Sequence, residues 1–280
     1  MKEQRFLFKF YYIGTKKYYG SQRQKNLLTI EGSLIEVLKT LKYINSIRDS
    51  DVEFASRTDR GVSALGAALT FVPLRKPYLI EINSMLPKEI GIWAYAKVPK
   101  NFLSRYNAIF RHYKYLVPIP DRDNGGRGLD FKLMQKARKI LLGTHNFLNF
   151  SKKGKKEVKT IRTIDFIDIR RRGKYLIFDF KSRAYLRQQI RRMVKKIMEL
   201  GLGEISYDDF LSLLDASKYI SYEPADPTGL VLWNIEYDKS IIFKIDPKSF
   251  DRMNKYFLNQ KRAYHHKYEL FKTLQENDIS

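Results

Sequence analysis

The stretch SRTDRGVSALG, Ser56 to Gly66, runs straight into the apolar segment AALTFVP, which reads as a β-strand. Its one carboxylate, Asp59, stands between Arg57 and Arg60 and is followed directly by Gly61. Two readings fit. Asp is a turn former that bonds its own backbone, and Gly61 supplies a positive φ. On the other reading, Arg57 and Asp59 are two apart, so an extended backbone turns both to one side. A cation that close favours the ionised carboxylate, the form that acts as nucleophile or base.

The flanks set the fold class. RFLFKFYYIG alternates apolar and polar residues as a strand ending at Gly14, and TIEGSLIEVLKTLKYI reads as a helix capped by Thr29. DVEFAS, GIWAYAKVP and HYKYLVPI are further strands, and PIPDRDNGGRG, Pro118 to Gly128, is a seam of turn formers. Beyond it, Asp130 caps FKLMQKARKILL, which stops at Gly143. TIRTIDFIDIRRRGKYLIFDFKS reads as two strands joined by a basic hairpin, and YLRQQIRRMVKKIMELG as a helix closed by Gly201. Ser206 and Asp209 form a capping box, and GLVLWNIEYD is a last strand. Helices mixed with adjacent strands on both sides of the seam predict an α+β fold with an antiparallel sheet, divided as 1–118 and 119–280. A tail helix opens at Asp246-Pro247; Phe250, Met253, Phe257, Tyr264, Tyr268 and Phe271 recur at near-helical spacing, which predicts packing onto the body rather than stacking on RNA.

Of 280 residues, 53 are Lys or Arg against 30 Asp or Glu, a formal charge of +23. Such a field draws polyanions, nucleic acid first and an anionic membrane surface second. The excess is local: residues 151–200 hold 17 basic and five acidic residues, whereas 201–280 hold ten and 13. That gradient fits a docking surface. No cysteine is present, which excludes disulfides and thiolate metal sites, and no apolar run is long enough to span a membrane. The N-terminal residues offer no apolar signal core, so the cytoplasm is the expected location.

Two further clusters carry candidate chemistry. In RHYKYLV, Tyr113 and Tyr115 share one strand face beside basic residues, placed for core packing or for stacking on an unstacked base. On the helix near Arg187, Arg187, Arg191 and Lys195 are four apart and form a basic stripe, either a solvated face or a phosphate contact. The chain has no glycine-rich phosphate loop, and His265-His266 lacks a third ligand, so no metal site is expected.

Together these segments resemble the tRNA pseudouridine synthase A family. RTDRGV, Arg57 to Val62, is similar to its Arg-Thr-Asp-x-Gly-Val pattern, YYIGTKKYYGSQRQ to its amino-terminal motif, RHYKY to its Arg-x-Tyr-x-Tyr strand, AYLRQQIRRMV to its helix start and GLVLWNIEY to its closing strand. Order and spacing hold from about Phe6 to Tyr237. Ser56, Arg60, Ser63 and Ser21 stand where many bacterial members have Gly, Ala, His and Trp, and the basic residue after the Asp, Arg60, looks more like the archaeal and eukaryotic branch. The tail after Asp238 lies beyond the motifs that carry this likeness, and its role stays open.

The resemblance implies two pseudo-repeated α+β halves whose sheets fuse around a cleft, acting as a homodimer on the tRNA anticodon stem-loop at uridines 38, 39 and 40, without metal or cofactor. It implies that Asp59 is catalytic, attacking sugar or base, that Arg57 extrudes and replaces the target nucleotide, that Tyr113 stacks on the uracil with Leu230 against it, and that Arg191 pairs with Asp59. Gln22, Arg23, Arg60, Arg187 and Lys195 are the expected substrate contacts. The competing reading is an RNA-binding protein or chaperone without turnover. Against it, a carboxylate inside a basic site repels phosphate and is of use chiefly for chemistry.

Overall fold

The computed structural model describes residues 4–120, 128–154 and 158–276. Most of the seam, 121–127, therefore lies outside the described residues. In chain order the strands are β1 (Arg5–Tyr12), β2 (Glu53–Phe54), β3 (Ser63–Phe71), β4 (Ile90–Val98), β5 (Phe110–Pro118), β6 (Gly143–Asn146), β7 (Ile161–Ile164), β8 (Phe166–Arg172), β9 (Tyr175–Ser182), β10 (Leu230–Glu236) and β11 (Lys244–Ile245). The helices are α1 (Ile30–Thr40), α2 (Leu79–Met85), α3 (Phe131–Ile140), α4 (Gln189–Gly201), α5 (Tyr207–Ser212) and α6 (Pro247–Gln275). Nine strands form one sheet in the order β11-β4-β1-β3-β10-β5-β9-β8, with β2 paired to β3. A small separate ribbon joins β6 to β7.

One pairing places the site. Every neighbouring pair in the large sheet is antiparallel except β3 with β10, where Ser63 faces Val231 and Ala64 faces Leu232 in parallel. Parallel neighbours start at the same end of a sheet. The segment leading into β3, Ser56–Val62, therefore sits beside the segment leading into β10, Asp226–Gly229.

Local capping chemistry explains where the helices begin. Thr29, Asp130 and Asp246 accept backbone N–H groups of Gly32, Leu133 and Ser249, and Ser206 with Asp209 closes a reciprocal capping box. Phe6, Phe8, Phe10 and Tyr12 of β1 share one core with Leu34 and Leu38 of α1 and with Met193, Val194 and Ile197 of α4.

Several expectations need correction. β1 is buried along its whole length instead of alternating, because its second face is covered as well. There α6 packs on Tyr11, with Phe257 edge-on to its ring at 5.3 Å and Arg252 donating to its hydroxyl at 2.9 Å, Tyr237 and Phe243 flank Lys9, and Arg5 meets Asp51 and Thr70. The stretch 160–182 forms three strands, since β7 leaves the sheet to pair with β6. α4 begins at Gln189, not Tyr185; Gln188 sits at φ 62°, and this left-handed residue sets Tyr185 and Arg187 off the helix. The fused sheet that the family likeness implies is met: β5, before the expected boundary at Pro118, pairs with β9 and β10, and β11 pairs back to β4. The tail helix packs only over its first turns: Met253 is buried, but every residue from Lys261 to Glu276 is exposed. No helix among the described residues is long and apolar enough to cross a membrane.

Candidate active site

Ser56–Asp59 lies outside the strands, and a turn follows in which Val62 N–H donates to the Asp59 carbonyl at 3.2 Å. Gly61 holds the third position of that turn at φ +85°, as a type II turn requires. Gly14, just beyond the end of β1, lies so close beneath it that a Cβ there would stand 2.3 Å from the Gly61 carbonyl carbon. The turn reading of Asp59 is met by its backbone. Its backbone opens the turn, while its side chain reaches out to α4.

The amino-terminal motif and the Asp59 loop are bonded to each other. Ser21 N–H donates to the Thr58 carbonyl at 3.1 Å, and Thr58 N–H donates to Ser21 Oγ at 2.8 Å. The Tyr12 hydroxyl hydrogen-bonds Thr58 Oγ1 at 2.7 Å, and Gly14 N–H donates to Ser63 Oγ at 3.0 Å. Glu31, in the first turn of α1, donates its N–H to the Ser21 carbonyl at 3.0 Å and accepts from Arg23 N–H at 3.2 Å. Burial pushes the Glu31 carboxyl up, opposed by that bond and by the charges of Arg57 and Arg23.

From α4, Arg191 Nη1 donates to Asp59 Oδ2 at 2.8 Å, and its Nε donates to the Ala225 carbonyl at 2.7 Å. The Arg191 side chain is 9% exposed and that of Asp59 33%, so the cation is the buried member and the carboxylate still meets solvent. Tyr113, buried on β5, meets Tyr185 edge-on at 5.3 Å. Burial pushes its hydroxyl up to about 12, with Arg111 opposing and Asp59 adding to the shift, which keeps it protonated near neutral pH.

These groups lie in a cleft of about 1450 Å³ lined by Asp59, Arg57, Arg60, Tyr113, Arg191, Arg187, Gln22 and Leu230, among others. Eight of the ten expected site residues thus meet in one place. Two do not. Arg23 faces Glu31 through its backbone, and Lys195 pairs with Glu199 at 3.1 Å. The expected basic stripe is broken, because Arg187 precedes α4, Arg191 is buried against Asp59, and Glu199 holds Lys195.

Sequence reasoning missed Arg111, Arg183, Arg105, Arg162 and Lys159. With Arg57, Arg60, Arg187 and Arg191 they give the cleft, among the described residues, nine cations against two carboxylates, Asp59 and Asp165. Arg111 donates to Ser56 Oγ at 3.0 Å and to the Ala55 and Arg105 carbonyls at 2.9 and 2.8 Å, holding the start of the Asp59 loop. Its position two before Tyr113 on one strand was the available signal. A carboxylate tied to a buried guanidinium beside an aromatic ring, in a cleft of this charge, is equipped to act on a polyanion carrying a planar ring. Among the described residues, no group of three or more His, Cys, Asp or Glu side chains could hold a metal ion.

Residues 137–238 match a family profile described as tRNA pseudouridine synthase. The tRNA pseudouridine synthase A of Methanosarcina acetivorans is 36% identical over 91% of this chain and 92% of its own. This chain belongs to the tRNA pseudouridine synthase A family. Its members from Thermococcus sibiricus, at 34% identity over 93% of this chain and 94% of their own, and Archaeoglobus fulgidus, at 33% over 99% of each, are similar along nearly the same length, and the second match takes in the tail after Asp238, which the motifs alone had left outside the likeness. Membership makes the chain an isomerase, and the segments that carried the family likeness are those that build the cleft. The profile takes in Arg191 and Leu230, and the full-length relatives span the region of Asp59 as well. Among solved structures, a chain of a Cbf5-Nop10-Gar1 complex matches at 13% identity and a TM-score of 0.36, covering 70% of this chain and 45% of that one, a likeness too slight to add to the assignment.

Proposed function

We propose that this protein isomerises uridine to pseudouridine in tRNA, with Asp59 as the catalytic group and the anticodon stem-loop as the target, at uridines 38, 39 and 40. The observation that carries the reading is the Asp59 carboxylate, bonded to Arg191 and partly open to a cleft whose other charges are nearly all positive. A phosphate backbone is drawn by those cations, yet the acid repels it, so the acid is there for the base or sugar.

In the reaction the N1–C1′ bond of uridine breaks, the uracil turns, and a C5–C1′ bond forms. The proton on C5 leaves and N1 gains one, so composition is unchanged and no oxidant or energy source enters. Asp59 acts on the sugar or the base during bond breakage, and Arg191 fixes the carboxylate's orientation. Tyr113 stacks on the uracil while Leu230 closes the same pocket. Arg57, exposed at the mouth of the cleft, takes the place of the nucleotide that must leave its stack, a step costing a few kcal/mol. Arg60, Arg187 and Gln22 contact the flanking backbone. The family likeness supports two further parts of this reading, a homodimer and a cytoplasmic location.

The test is carbodiimide primer-extension mapping of unmodified tRNA after incubation with wild type and Asp59→Ala. Wild type is expected to leave stops at anticodon-arm uridines and the variant none, with tRNA affinity kept within about tenfold. Full activity in Asp59→Ala overturns the assignment. Tight binding by wild type with no stop at any uridine leaves the non-catalytic RNA-binding protein as the surviving reading.

A further inference from the structure

The second half of α6 has nothing to lie on. From Lys261 onward the helix is exposed on all sides, over a length of about 22 Å at 1.5 Å per residue. It is not polar all round. Tyr264, Tyr268 and Phe271, spaced by four and three, form one row at 67, 61 and 63% exposure, with Lys261 at the head of that row and Lys272 four residues beyond Tyr268.

Where the helix points follows from its foot. Asp246 N–H donates to the Trp93 carbonyl at 3.0 Å, and Arg252, further along α6, donates to the Ile90 carbonyl at 3.2 Å. The path from Trp93 to Ile90 leads to the end of the sheet where β4 and β3 begin and β1 stops, and the Asp59 loop lies at that end. The bare half of α6 thus extends past the edge that carries the reacting group. At its foot, Lys88, Lys248, Arg252 and Lys255 line one small cavity, with Asp251 as its acid.

We propose that the projecting half of α6 is a second RNA-contact surface, which holds a part of the tRNA remote from the reacting uridine. The inference rests on the tRNA reading. Charge selects the occupant: Lys261, Arg262, Lys267 and Lys272 outnumber Glu269 and Glu276 along this half, so it draws a polyanion. Rows of aromatic rings interleaved with cations suit unpaired bases and phosphates, since every base has a face to stack and every phosphate a charge to neutralise.

The experiment uses the full chain with two sets of substitutions, Tyr264→Ala with Tyr268→Ala and Phe271→Ala, and Lys261→Ala with Arg262→Ala and Lys267→Ala. All six side chains are exposed, so circular dichroism and Tm are expected to match wild type. Each set is assayed on a full-length tRNA transcript and on an isolated hairpin carrying the reacting uridine. Each set is expected to raise KM for tRNA about tenfold, with kcat and the hairpin kinetics unchanged. Unchanged KM for tRNA overturns the inference, and so does an equal loss on both substrates. A shift from dimer to monomer by light scattering, with tRNA kinetics intact, assigns the surface to a second copy instead. If wild type forms pseudouridine but the variants match it on both substrates, this inference fails alone; if wild type modifies no tRNA, the reading beneath it has failed as well.

Discussion

Arg191 and Asp59 come from distant parts of the chain and meet at 2.8 Å where the parallel pairing of β3 with β10 sets the Asp59 loop beside the segment of Ala225, to which Arg191 of α4 is also bonded. Antiparallel pairing there would have sent the two leading segments to opposite ends of the sheet. The guanidinium is anchored a second time on the Ala225 carbonyl at 2.7 Å, so its planar fork sets the direction from which Asp59 is held.

A lysine at position 191 keeps a charge but cannot span both acceptors. Arg191→Lys is expected to lower kcat by about a hundredfold or more, the scale of losing one preorganised donor at a reacting charge, with KM within about threefold. Steady-state kinetics on a tRNA transcript checks this. A rise in KM at constant kcat would mean that Arg191 serves binding only.

Thr58 is held from two sides, by Ser21 through backbone and hydroxyl and by the Tyr12 hydroxyl. Ser21→Ala and Tyr12→Phe are each expected to reduce kcat about tenfold with little change in KM, and the double variant to lose less than the product, because both act through one residue. Multiplicative losses would show that the two bonds are independent of each other.

Much of this arrangement is legible from local chemistry. Thr29, Asp130, Asp246 and the Ser206–Asp209 box announce helix starts because capping involves residues only two or three apart. The pairing of Ser63 with Val231 leaves no such mark, since it depends on which strands find each other after long intervening chain. The start of α4 escapes a sequence reading because Gln188 adopts a left-handed conformation that Gly or Asn usually signals. Spacing alone also joins Lys195 to Arg191, although the two side chains meet different carboxylates. In α6, helical periodicity announces an apolar row but says nothing of where the sheet beneath it ends.

The cleft's cations separate into those that hold the protein and those free to meet phosphate. Arg183 and Arg187 are exposed at its wall, whereas Lys195 lies outside the cleft lining and pairs with Glu199. Arg183→Ala and Arg187→Ala are each expected to weaken tRNA binding several-fold and to reduce the slope of log Kd against log salt by about 0.7 to 0.9 for each phosphate left unneutralised. Lys195→Ala is expected to change neither. A weaker salt dependence in Lys195→Ala would move the RNA path out onto α4.

Lys9 supplies a prediction about the fold itself. It lies buried on β1, donates Nζ–H to Asn234 Oδ1 at 2.8 Å and to the Ile235 carbonyl, and sits 5.3 Å and 5.0 Å from the ring centres of Tyr237 and Phe243. Burial lowers its pKa from 10.5 to about 7, partly opposed by Glu236. The unfolded chain keeps that proton up to its ordinary value, so between about 7 and 10.5 the unfolded state binds more protons and the free energy of unfolding rises with pH. Below that window both states are protonated, and this group contributes no slope. Lys9→Met removes the titration while keeping an unbranched side chain. Thermal melts at pH 7 and pH 9.5 are therefore expected to show wild type gaining several degrees relative to Lys9→Met, with tyrosine titrations common to both cancelling in the difference. Parallel Tm profiles for the two proteins would show that the amine keeps its proton inside the sheet, held by its two carbonyl acceptors and the flanking rings.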